Sequence, residues 1–234
     1  VPAVPPEARD AGARKGYSAE VVGQSHGGRW QAVAGMQLGD AEKSGDGVPV
    51  ARPGRLFVLE RSGDGRRAHR YDIPLPGTAR ALAFAADERT LWLAGTLRGV
   101  EHHDDHEAWL MAIDLSDGKV TRQWRPERGL TIGVVAAHPG GDLLLSNGSP
   151  DLLVWDKRQE EPKFRVRIDG GKRNLSALAL TRDGKRLASA DLAGRTQVWD
   201  WPGPDAAPTP AWQRLLDAPA PHLLASSEKG KRLY

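Results

Sequence analysis

The sequence predicts an all-β fold built from repeated four-stranded antiparallel units. Three observations carry that prediction: one short turn returns five times, alternating apolar residues flank it, and an apolar residue followed by an acid recurs downstream. The turn reads Ser25-His26-Gly27-Gly28-Arg29, Ala85-Ala86-Asp87-Glu88-Arg89, His138-Pro139-Gly140-Gly141-Asp142, Thr181-Arg182-Asp183-Gly184-Lys185 and Ser227-Glu228-Lys229-Gly230-Lys231, with first members 60, 53, 43 and 46 residues apart.

Each element of the unit follows in order. Leu82-x-Phe84, Val135-x-Ala137 and Leu178-x-Leu180 alternate just before the turn, and Leu91, Leu144, Leu187 and Leu233 open a second apolar stretch after it. Side chains along a strand point alternately to its two faces, so this pattern predicts two strands joined by a tight hairpin. The first copy is the weakest, with Gln31 where the others have leucine. A third strand is expected to end at Leu59-Glu60, Ile113-Asp114, Trp155-Asp156 and Trp199-Asp200, and a fourth to occupy Ala68 to Ile73, Val120 to Trp124, Phe164 to Ile168 and Ala211 to Leu215.

Two Trp-Asp pairs 44 residues apart, in phase with the turns of Gly140-Gly141 and Asp183-Gly184, make the chain similar to the WD-repeat family from roughly Ser18 to Tyr234. The resemblance implies a β-propeller of four-stranded blades. Four complete blades are expected near 18–77, 78–129, 130–173 and 174–219, with the start of a fifth over 220–234. Burial gives the physical reason: a lone four-stranded sheet has two faces and cannot hide both, so neighbouring blades must cover them. Trp155 and Trp199 are accordingly expected to pack between blades, with Asp156 and Asp200 as the acids that follow. The family's Gly-His before the first strand is absent, with Gly170-Gly171 near that place in one copy. Ala193 stands at a usual aspartate position. Blades held mainly by apolar packing, without the family's buried His-Ser-Asp network, are therefore expected.

Val1 to Tyr17, with three prolines in its first six residues and no periodicity, reads as a linker. The first two units are longer than the others through insertions between their second and third strands, near Gly39 to Pro53 and Arg98 to Glu107. In an antiparallel meander these emerge at the same end as the connections between blades, so both are expected on one face of the disc, a binding-face signature. The Pro-rich stretch Pro202 to Pro210 is expected as a loop between a third and a fourth strand.

Composition narrows the function classes. The net charge of +3 comes from scattered Lys and Arg rather than a stripe, which argues against nucleic-acid binding. No apolar run approaches the length of a membrane span, so a soluble protein without membrane partners is expected, cytoplasmic by default. The absence of cysteine removes disulfides, thiolate metal sites and cysteine nucleophiles.

Two segments suggest chemistry. Gly23-Gln24-Ser25-His26-Gly27 matches a G-x-S-x-G nucleophile elbow, which requires a strand, a strained turn and then a helix. However, it aligns position by position with Ala136-Ala137-His138-Pro139-Gly140, so Ser25 is read as a hairpin residue. His102, His103 and His106, together with Asp104 and Asp105, put imidazoles and carboxylates in the second insertion, a candidate metal loop weighed against a solvated polar loop. Asp10, Asp46, Asp64, Asp117 and Asp183 sit beside or near glycine and read as turn residues. The expectation is a protein-interaction and scaffolding module without cofactor or catalytic set, part of a larger bacterial chain, with protein or peptide partners that include domains of that chain. The alternative is an enzymatic propeller acting through Ser25 or a metal at His102 to His106.

Overall fold

A computed structural model describes residues 17–37, 54–97, 107–127, 129–148, 151–168 and 175–215. These residues form sixteen strands and no helix. The first sheet holds β1 (Tyr17–Gln24), β2 (Trp30–Gln37), β3 (Gly54–Arg61) and β4 (Arg67–Pro74), and the second holds β5 (Thr78–Phe84), β6 (Thr90–Leu97), β7 (Glu107–Asp114) and β8 (Val120–Trp124). The third comprises β9 (Val135–Ala137), β10 (Leu143–Gly148), β11 (Asp151–Asp156) and β12 (Phe164–Arg167). The fourth comprises β13 (Leu175–Leu180), β14 (Arg186–Asp191), β15 (Arg195–Asp200) and β16 (Thr209–Leu215). Every sheet is an antiparallel meander in chain order. β1 starts at Tyr17, inside the segment read as linker; the rest of that segment, both insertions apart from Glu107, and 216–234 lie outside the described residues.

The hairpin turn is the same device four times. Ser25, Ala85, His138 and Thr181 each donate a backbone N–H to the carbonyl five residues on, at 2.9 Å, and accept one from Gly28, Glu88, Gly141 and Gly184. Those four residues have φ of +74°, +54°, +79° and +69°. Glycine enters that region without strain; Glu88 is the single non-glycine residue there among the described residues. The residue after each third-strand acid (Arg61, Leu115, Lys157 and Trp201) donates its N–H to Arg29, Arg89, Asp142 and Lys185. Backbone geometry thus repeats even where the side chains do not.

The first strands touch one another, β1 with β5, β5 with β9 and β9 with β13, so they line a common axis and the fourth strands form the rim. Sheets pack face to face in sequence order. Leu56, Val58 and Ile73 meet Leu93, Met111 and Ile113 between the first and second sheets. Trp92, Leu110 and Trp124 meet Leu144, Leu153 and Trp155 between the second and third. Leu145, Leu152 and Val154 meet Leu187 and Trp199 between the third and fourth. At the rim side chains tie each sheet to the next: Tyr71 Oη donates to the Leu115 carbonyl at 3.1 Å, Trp124 Nε1 to that of Gln159 at 2.7 Å, and Lys163 Nζ lies 2.9 Å from Asp205, with Arg122–Glu160 and Arg165–Glu127 ion pairs beside the second of these. Gly118 leaves room for the Tyr71 ring, since a Cβ there would lie 2.4 Å from Cδ1 of that ring.

β16 begins two residues earlier than the sequence suggests, which places Pro210 inside a strand. A rim strand tolerates it, because one edge needs no partner, and the register slips between Val198 and Trp199.

Candidate interaction surface

Trp155 and Trp199 sit at equivalent places in β11 and β15, opposite Leu144 and Leu187, almost fully buried between sheets. Their indole N–H groups donate to Ser146 Oγ at 2.8 Å and Ser189 Oγ at 2.9 Å. Apolar clusters fill the space between the sheets, as expected, and within two of the four sheets a buried serine–tryptophan hydrogen bond is added. Strand register identifies the matching pairs elsewhere as Leu93 with Ile113 and Val33 with Leu59. Each sheet carries both polar members or neither at this pair, so neither indole here is left without an acceptor. The signal was present in the sequence as a serine nine or ten residues before each Trp-Asp.

The remaining signature residues serve turns. Asp156 Oδ1 accepts the Arg158 N–H at 2.9 Å, and Asp114 Oδ1 accepts the Ser116 N–H at 2.8 Å and its hydroxyl at 2.6 Å, which holds the Asp114 carboxyl below its usual pKa. Asp200 pairs with Arg186 across β14 and β15. Asp183 Oδ1 accepts from Thr181 Oγ1 at 2.6 Å and from the Lys185 N–H at 3.0 Å, and these bonds lower its pKa. Asp64 and Asp117 make the same bond to the N–H two residues on. Gly140 donates its N–H to His138 Nδ1 at 3.1 Å, while Gly141 and Gly184 lie so close to the preceding sheet that a Cβ would meet Asp87 Oδ2 at 2.4 Å and His138 Nε2 at 2.5 Å.

Ser25 is a turn residue by geometry. Its Oγ accepts the Trp30 N–H at 3.0 Å, it is 4% exposed, and β2 rather than a helix follows it. The elbow's structural context is missing. His102, His103 and His106 lie outside the described residues, as do Asp10 and Asp46.

At the axis, the end of the molecule where the blade connections emerge is shaped by irregularities that the sequence did not reveal. β1, β5 and β13 each slip register at the same position, leaving Glu20, Arg80 and Ser176 bulged. In the third sheet the equivalent stretch is not strand at all. Asn147 Oδ1 accepts the N–H groups of Gly133 at 2.8 Å and Val134 at 3.0 Å, and its Nδ2 donates to the Thr131 carbonyl at 3.1 Å. The matching residues Ala34, Ala94 and Ala190 pair with an inner strand instead. The side-chain amide thus replaces a length of β9 and leaves a recess of about 280 Å³ lined by Arg80, Thr96, Thr131, Gly133, Asn147 and Leu175, with Ile132 beside them.

The chain superposes on the propeller of Dos1 with a TM-score of 0.65 at 15% identity, covering 98% of this chain and 53% of that one. It also superposes on the β-propeller domain of Cps50 (Swd1) from Myceliophteria thermophila with a TM-score of 0.62 at 16% identity, covering 94% of this chain and 62% of that one. The fold is a β-propeller. The chain spans between half and two thirds of the length of these propellers. No protein-family model matches it, and no curated protein does.

The propeller's opposite end, formed by the hairpin turns, carries a larger cleft of about 450 Å³ between the third and fourth blades, lined by His138, Asp142, Asp156, Arg158, Lys163 and Asp205 among others. Its charges neutralise one another: Arg158 reaches Asp142 at 2.9 Å and Asp156 at 3.2 Å, and Lys163 reaches Asp205. The His138 ring meets the Trp201 edge at 5.0 Å, and burial pushes its pKa below the ordinary histidine value.

Proposed function

We propose that this chain is a protein-interaction module, a WD-repeat-type propeller that holds a protein or peptide on the end of the disc where the blade connections and both insertions emerge. The observation that supports the reading best is the axial recess at that end: the residues of the repeat signature are committed to turns and interfaces, whereas Arg80, which lines the recess, is exposed among the described residues. Fold alone does not assign function, and the site must carry the argument. Against the hydrolase alternative stands the Ser25 hydroxyl, occupied by the Trp30 amide.

Charge reversal across residues 39–53 and 98–107 is expected to release a specific partner captured by the intact chain. A partner that stays bound to both variants would move the surface elsewhere. A serine-directed phosphonate is expected to leave Ser25 unlabelled, and stoichiometric metal in the purified chain would favour the enzymatic alternative.

A further inference from the structure

Resting on that reading, we propose that the axial recess is a carboxylate site that takes an acidic side chain of a bound peptide, with Arg80 as its anchor. The bulge in β5 lifts Arg80 out of the strand pairing, and the residue is exposed. Bulges of this kind re-aim a side chain. Of the bulged positions on the inner strands, Glu20, Arg80 and Ser176, it is the one that carries a positive charge.

The surroundings explain why that charge remains available. The arginines of the turn-end cleft and rim, such as Arg158, Arg165 and Arg186, are held by aspartate or glutamate. No such ion pair holds Arg80 among the described residues. Thr96 and Thr131, with Ile132 and Leu175, line the recess beside Arg80. Asn147 contributes no free acceptor, because its carbonyl oxygen is occupied by two backbone amides. A planar guanidinium recognises a carboxylate in two-point geometry, and threonine hydroxyls among the lining residues are further donors for it. The volume of about 280 Å³ fits one side chain with its flanking backbone. A nucleic acid would need several cations spaced along its phosphates, and the recess offers one.

The test is titration of the 234-residue chain with N-acetyl-hexaglutamate amide, monitored by calorimetry, with hexaglutamine and the oligonucleotide dT6 in parallel. Binding of hexaglutamate alone is expected, weakening as salt rises. Arg80→Ala should reduce it at least tenfold, Arg80→Lys by less, and Arg158→Ala at the opposite end should leave it unchanged. Equal binding to the wild type and Arg80→Ala, no binding of hexaglutamate, or a preference for dT6 would each overturn the assignment. If Arg80→Ala has no effect while charge reversal of the insertions still releases a partner, the carboxylate site falls and the interaction reading stands. If hexaglutamate binds through Arg80 while a specific partner ignores the insertion end, the site stands and the proposed docking end falls.

Discussion

The hydroxyl of Ser146 and the indole of Trp155 form a unit that neither residue can leave alone. Removing the acceptor by Ser146→Ala strands a buried N–H, which should lower stability by about 1–3 kcal/mol in urea unfolding. Trp155→Ala should cost about 3–5 kcal/mol through the cavity it leaves. The second blade has already made the exchange, with Leu93 and Ile113 at the same places. Ser146→Leu combined with Trp155→Ile is therefore expected to recover most of the loss, and a double-mutant cycle in which the two changes merely add would contradict the pairing. His138 is a second residue with a measurable consequence. Its Nδ1 accepts the Gly140 amide and its pKa is depressed by burial, so the folded state prefers the neutral ring. As pH falls below the unfolded value of about 6.5, the unfolded chain takes up the proton first and stability is lost until the lower folded value is passed. Unfolding curves between pH 7 and pH 5 should show this loss in the wild type and a smaller one in His138→Gln.

Strands and turns differ in how far the sequence discloses them. The hairpins were legible, since a turn with one residue at positive φ needs glycine, and Gly28, Gly141 and Gly184 mark three of four; Glu88 hides the fourth behind an ordinary side chain. The fourth strands were placed to within a residue or two because apolar alternation is local. The shortness of β9 and the bulges around the axis were not legible, because Asn147 substitutes for a strand only when its amide meets Gly133 and Val134 in space. The recess and Arg80 were missed for the same reason. Asn147→Ala is expected to free the amides of Gly133 and Val134, seen as faster hydrogen exchange there while β10 and β11 stay protected; unchanged exchange would mean that β9 simply lengthens, as the alanines of the other blades permit.

Taken as a whole, the molecule is close to one-dimensional, each blade resting mainly on its sequence neighbours among the described residues. Damage should accordingly stay local. Trp199→Ala, at the interface of the third and fourth blades, is expected to accelerate amide exchange in β9 to β16 and leave β1 to β8 unaltered. Uniform acceleration through all sixteen strands would instead show that the described blades open as one cooperative body.

The ties at the rim are made by side chains, those at the axis by contact of the inner strands. Tyr71, Trp124 and Lys163, with the Arg122–Glu160 and Arg165–Glu127 ion pairs, join neighbouring blades at the circumference, whereas the hub is built from strand against strand. A guest seated at the hub would rest on inner strands that touch from blade to blade, and the periphery could vary in charge and length without disturbing it.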